Sequence, residues 1–176
     1  MSFKSHDDSC ELCGVVREAD LRSVGRGGEM LADIREDGFH KVGVFSEISG
    51  ESEYSYTIGM FHTFQHAEVV VFGLEIETEF AILDTICGLV QAGSVFQEGD
   101  ISPEVLEGVE VVFRDLGEAG CNEYLTQAKN FYKSDSYPVL IMAWPDGSGV
   151  FPWDDVAPGW LKERQPAVWN THNGNR

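Results

Sequence analysis

Glu68-Val69-Val70-Val71-Phe72-Gly73-Leu74 is apolar and largely β-branched after its first residue, with no polar residue breaking the run. A run of this length and character reads as a strand buried on both faces. Upstream, Tyr54, Tyr56, Ile58 and Met60 recur at every second residue, which puts them on one face of a second strand. Before that, Val42 and Val44 alternate within His40 to Ile48, and Ser49-Gly50-Glu51-Ser52-Glu53 is a turn cluster. The two runs form a predicted β-hairpin. Residues 61–66 read as a loop, and Glu29 to Asp37 as a short helix stopped by Gly38.

Downstream of the central strand, Phe80, Leu83, Ile86, Cys87 and Val90 recur at helical steps. Glu75, Glu77 and Glu79 stand at the start, where the helix dipole favours negative charge, and Gly93 marks the end. Val109 to Asp115 is a further strand, and Asn122 to Tyr132 a second amphipathic helix with Leu125, Ala128, Phe131 and Tyr132 inward. Pro138 to Trp144 is a core strand closed by the turn Pro145-Asp146-Gly147-Ser148-Gly149. The order β-β-β-α-β-α-β predicts an α+β fold, a mainly antiparallel sheet with two principal helices packed on one side. The expected organisation is an arm over residues 1–26, one domain over 27–153, and a tail over 154–176 without periodicity.

A chain of 176 residues has room for a sizeable core without a disulfide or metal staple. No stretch approaches the roughly 20 apolar residues of a membrane-spanning helix, and the N-terminus lacks the apolar region of a secretory signal. The expected location is the cytoplasm. Thirty acidic residues stand against twelve basic ones, a formal charge of -18, and Arg114 is the only basic residue between Lys41 and Lys129. Such a surface repels phosphate backbones and anionic lipid, which argues against nucleic-acid and membrane partners and favours a basic protein. Acidity of this kind also serves solubility.

Three stretches carry a family resemblance. They are Tyr56-Thr57-Ile58-Gly59-Met60; Thr63-Phe64-Gln65-His66-Ala67-Glu68 with the apolar strand ending Gly73-Leu74; and Trp144-Pro145-Asp146-Gly147-Ser148-Gly149-Val150-Phe151-Pro152-Trp153. In this order they resemble the bacterial family called domain of unknown function 4262. Cys10-Glu11-Leu12-Cys13 and Gln165-Pro166 extend the likeness toward both ends, while Gln65 and Ala67 replace the family's Gly and Pro around His66. The resemblance implies a shared fold and names no activity.

Three constellations could carry chemistry. Cys10 and Cys13 hold two thiolates at zinc-ligand spacing, and His6 supplies a third donor, with His40 or Cys121 available as a fourth. Zinc is the one cofactor this pattern suggests, and two ordinary thiols on an arm or a redox dithiol are the alternatives. His66, at the head of the central strand, could act as a general base or acid with Asp146 and Tyr56, or could be satisfied by backbone hydrogen bonds. Trp144 and Trp153, with Asp154 and Asp155, could wall a site for a cation, or close the core beside a turn held by Asp146. Cys121, placed before a helix, would have a lowered pKa. No phosphate loop, dinucleotide fingerprint or nucleophile elbow is present. The expected function is a non-catalytic interaction module that binds a basic partner, in the manner of immunity proteins. An enzyme around His66 and Asp146 and a zinc-binding domain are the alternatives.

Overall fold

The structure, a computed structural model, describes residues 26–46, 52–134 and 137–166. Its described elements are α1 (Arg26–Glu36), β1 (His40–Val44), β2 (Tyr54–Ile58), α2 (Met60–Phe64), β3 (Glu68–Phe72) and α3 (Ile76–Gln91). There follow β4 (Ile101–Leu106), β5 (Val109–Asp115), α4 (Gly117–Tyr124), α5 (Thr126–Tyr132), β6 (Val139–Ala143) and α6 (Gly159–Arg164).

The fold is α+β, built on a six-stranded mixed sheet of order β1-β2-β3-β6-β5-β4. The predicted hairpin is present, with Val42 opposite Tyr56. The central pair β3–β6 is parallel and every other pairing is antiparallel. Every residue of β3 and β6 is buried, as the continuous apolar runs require.

That double burial corrects the expected one-sided packing of the helices, because two apolar faces need two covers. Val69, Val71, Leu140 and Met142 pack with Ile82, Leu83, Ile86, Cys87 and Val90 of α3. Val70, Phe72, Val139 and Ile141 pack on the opposite face with Leu125 and with Ala128 and Phe131 of α5. The predicted element order is also corrected. β4 escapes the pattern because Ile101-Ser102-Pro103-Glu104 is polar and contains a proline, which an edge strand tolerates. The predicted helix from Asn122 to Tyr132 breaks at Leu125 (φ −109°, ψ 47°) into the end of α4 and α5.

Residues 61–66 are not all loop. Gly59 takes φ 108°, ends β2 and starts α2, so Met60 leaves the face of Tyr56 and Ile58 and joins the α3 cluster. The C-terminal stretch is anchored as well. Leu161 of α6 is fully buried, and Gln165 pairs with the backbone of Trp144, accepting its N–H at 3.2 Å and donating to its carbonyl at 2.9 Å. Residues 159–166 thus complete the end of the sheet beyond β6. No described helix is long and apolar enough to cross a membrane.

Candidate functional site

His66 is buried just before β3, and both ring nitrogens are engaged. Phe96 N–H donates to Nε2 at 3.0 Å, which leaves Nδ1 to carry the proton and donate to the Ala67 carbonyl at 2.7 Å. Burial lowers the pKa, so the ring is held neutral. Asp146 lies past the other end of the sheet. Its Oδ1 accepts the N–H groups of Ser148 and Val150 at 2.8 and 3.0 Å, holding its own turn.

The register Glu68 to Val139 sets His66 before the start of the parallel pair and Asp146 beyond its finish. The five residues of β6 alone separate those ends by more than about 13 Å, at about 3.3 Å per residue. Tyr56 sits between them, buried opposite Val70, its phenol pushed up to about 12 by burial. The structure does not bring these three residues together.

Nor do the two indoles form one wall. Trp144 belongs to the α3 cluster and donates its ring N–H to the Phe72 carbonyl at 2.9 Å. Trp153 packs against the opposite cluster, stacked on Phe151 at 4.7 Å, and its face already carries the Arg114 guanidinium at 4.7 Å. Asp154 accepts the Phe151 N–H at 2.7 Å, while Asp155 is exposed.

His6, Cys10 and Cys13 lie outside the described residues. Of the further ligand candidates, His40 Nδ1 lies 2.6 Å from Asp33. Cys121 is buried within α4, and burial and then Asp115 push its thiol up to about 11, opposite to the expected lowering. Among the described residues no group of three or more His, Cys, Asp or Glu side chains is placed to hold a metal ion.

Two buried carboxyls, neither singled out by sequence reasoning, organise the chain. Glu68 is fully buried at the head of β3. It accepts the Thr57 hydroxyl at 2.7 Å, the N–H groups of Gly59 and Phe61 at 2.9 and 3.0 Å, and the Tyr132 hydroxyl. These donors fix the turn from β2 into α2. Burial nevertheless pushes the Glu68 carboxyl above its usual range, and burial and Glu68 together raise the Tyr132 phenol. The available signal was an acid heading a strand buried on both faces, since a buried acid requires donors.

Glu79 of α3 is the second buried carboxyl. It accepts the Ser55 hydroxyl at 2.7 Å and the Leu74 N–H at 3.2 Å. Burial, with Glu53 adding repulsion, pushes its pKa up to about 7. Neither acid reaches solvent, so both act as fixed acceptors rather than as groups that meet a substrate.

Two open cavities lie near the sheet end where β3 finishes. One cavity of about 470 Å3 is walled by Glu53, the turn from Gly73 to Glu75 with Thr78 of α3, and Trp160, Glu163 and Arg164 of α6. A second, of about 430 Å3, opens between Phe45, Tyr54, Tyr124 and Pro166. Ser52 and Glu163 line both, and the Ser52 hydroxyl donates to the Glu163 carbonyl at 2.7 Å along the divide. α6 reaches the first cavity by close backbone approach. A Cβ on Gly73 (φ +79°) would stand 2.4 Å from the Arg164 carbonyl oxygen.

The family described as Domain of unknown function (DUF4262) matches residues 33–158, from α1 to the residue before α6. No curated protein and no solved structure matches the chain.

Proposed function

The chain belongs to the DUF4262 family, whose description names no activity, and from that premise we propose that it is a non-catalytic interaction module that engages a basic protein partner. One observation carries this reading. Arg114 is the only basic residue between Lys41 and Lys129, and both Lys41 and Arg114 are spent on internal ion pairs, with Asp84 and Glu98. Glu77 on α3, Glu104, Glu107 and Glu110 on the β4–β5 hairpin, and Glu118 and Glu123 on α4 are exposed. A partner with clustered Lys and Arg gains from this field in encounter rate and in discrimination against acidic competitors.

The state of the reactive side chains supports the same reading. His66, Glu68 and Glu79 are buried and committed to hydrogen bonds that hold strands and turns in place. The test is retention of proteins from a cell extract on the immobilised chain at low salt, followed by a salt gradient. Basic proteins eluting as ionic strength rises are the expected result. Retention of nothing, or of proteins with no basic bias, overturns the reading.

A further inference from the structure

The cavity beside α6 combines an exposed indole with carboxylates from three parts of the chain. Glu53, Glu75 and Glu163 stand on three different walls: the segment before β2, the turn after β3, and the helix α6. Among the described residues the ion pairs are His40–Asp33, Lys41–Asp84 and Arg114–Glu98, and none uses a carboxylate of this cavity. Trp160 is 46% exposed on its wall, a large aromatic surface left in water. Behind it Trp144 lies tilted at 6.4 Å, so the indole rests on a buried partner.

The cavity also already holds one cation, the chain's own. The Arg164 guanidinium lies 5.8 Å from the centre of the Trp160 ring. A planar cation over an indole is favourable, and most so when carboxylates stand nearby and part of its water shell is removed. At about 470 Å3 the space is within the range of small-ligand sites and larger than one side chain needs.

We propose that this cavity receives an arginine side chain of the basic partner, with Trp160 as its cation–π face and Glu53, Glu75 and Glu163 as its counter-charges. The inference rests on the reading of the chain as a module for a basic partner and assigns that partner's anchor. An arginine fits better than a lysine because its flat guanidinium stacks on the indole while its N–H groups reach carboxylates on two walls. Arg164 then acts as an internal competitor for the same ring.

The test uses fluorescein-labelled octa-arginine as probe, with binding followed by anisotropy at low salt. The variants are Glu53→Gln/Glu163→Gln, Trp160→Leu, and the charge-matched pair Glu104→Gln/Glu107→Gln on the β4–β5 hairpin, each checked for a wild-type melting curve. The cavity pair and Trp160→Leu are expected to weaken binding at least about fivefold, and the hairpin pair less than about twofold. Arg164→Gln is expected to tighten binding more than Arg35→Gln, which changes the net charge equally at an exposed position of α1. Equal weakening by the two acid pairs, with Trp160→Leu unchanged, would overturn the cavity while leaving the charge-based reading in place. No binding to the wild-type chain would remove that reading, and the cavity with it.

Discussion

Burial pushes the Glu79 carboxyl up to about 7 in the folded protein, well above the ordinary glutamate range near 4.5. Between these values the folded chain holds a proton that the unfolded chain has released, so the folded state binds more protons and loses stability as pH rises. The stabilisation is complete below about 4.5 and gone above about 7. Its full size is on the order of 3 kcal/mol at about 1.4 kcal/mol per unit. His66 acts in the opposite sense: burial lowers its pKa, so its contribution is present above the unfolded value near 6.5 and declines as pH falls. The two overlap, and comparison with Glu79→Gln separates them. In urea titrations the wild type is expected to gain on the variant between pH of about 8 and about 5, by up to about 3 kcal/mol. A difference that stays flat would show that Glu79 is not held protonated.

At this level legibility depended on the range of each contact. The turn role of Asp146 is readable because its partners, Ser148 and Val150, are two and four residues away. His66 is visible as a chemically special residue, but the N–H that occupies it belongs to Phe96, thirty residues on. Glu68 and Glu79 look like ordinary acids until Thr57, Tyr132 and Ser55 are brought to them by sheet and helix packing.

Among the elements, the sequence displays those whose apolar residues form a continuous or periodic pattern: β3, β5, β6, the β1–β2 hairpin, α1 and α3. Those set by a single conformational event are not displayed. α2 depends on Gly59 turning into positive φ and on Glu68 holding the N–H groups that follow, and β4 on an edge position that tolerates Pro103. α6 depends on Gly73, where any side chain would meet the Arg164 backbone and also adopt a strained φ. Gly73→Ala is therefore expected to destabilise the protein by about 2 kcal/mol or more, read as a lowered denaturation midpoint in urea. A wild-type midpoint would mean that α6 is not clamped against the end of β3.

Over the whole molecule, the charge imbalance is open to inspection in the sequence, whereas the cavity is not. Its walls come from residues 52–53, 73–75, 78, 160 and 163–164, and they meet only because β2 and β3 pair and α6 returns over the end of β3. The same topology that separates His66 from Asp146 gathers Glu53, Glu75 and Glu163. A field of this kind acts through the solvent, so salt should weaken it, while contacts shielded inside a cavity should retain part of their strength. The most direct measurement is the affinity of labelled octa-arginine for the wild-type chain across a salt series. Binding that is tight at about 50 mM and at least about tenfold weaker at about 300 mM is the expected result. An affinity that ignores salt, or no binding at the lowest salt, would contradict an acidic module built for a basic partner.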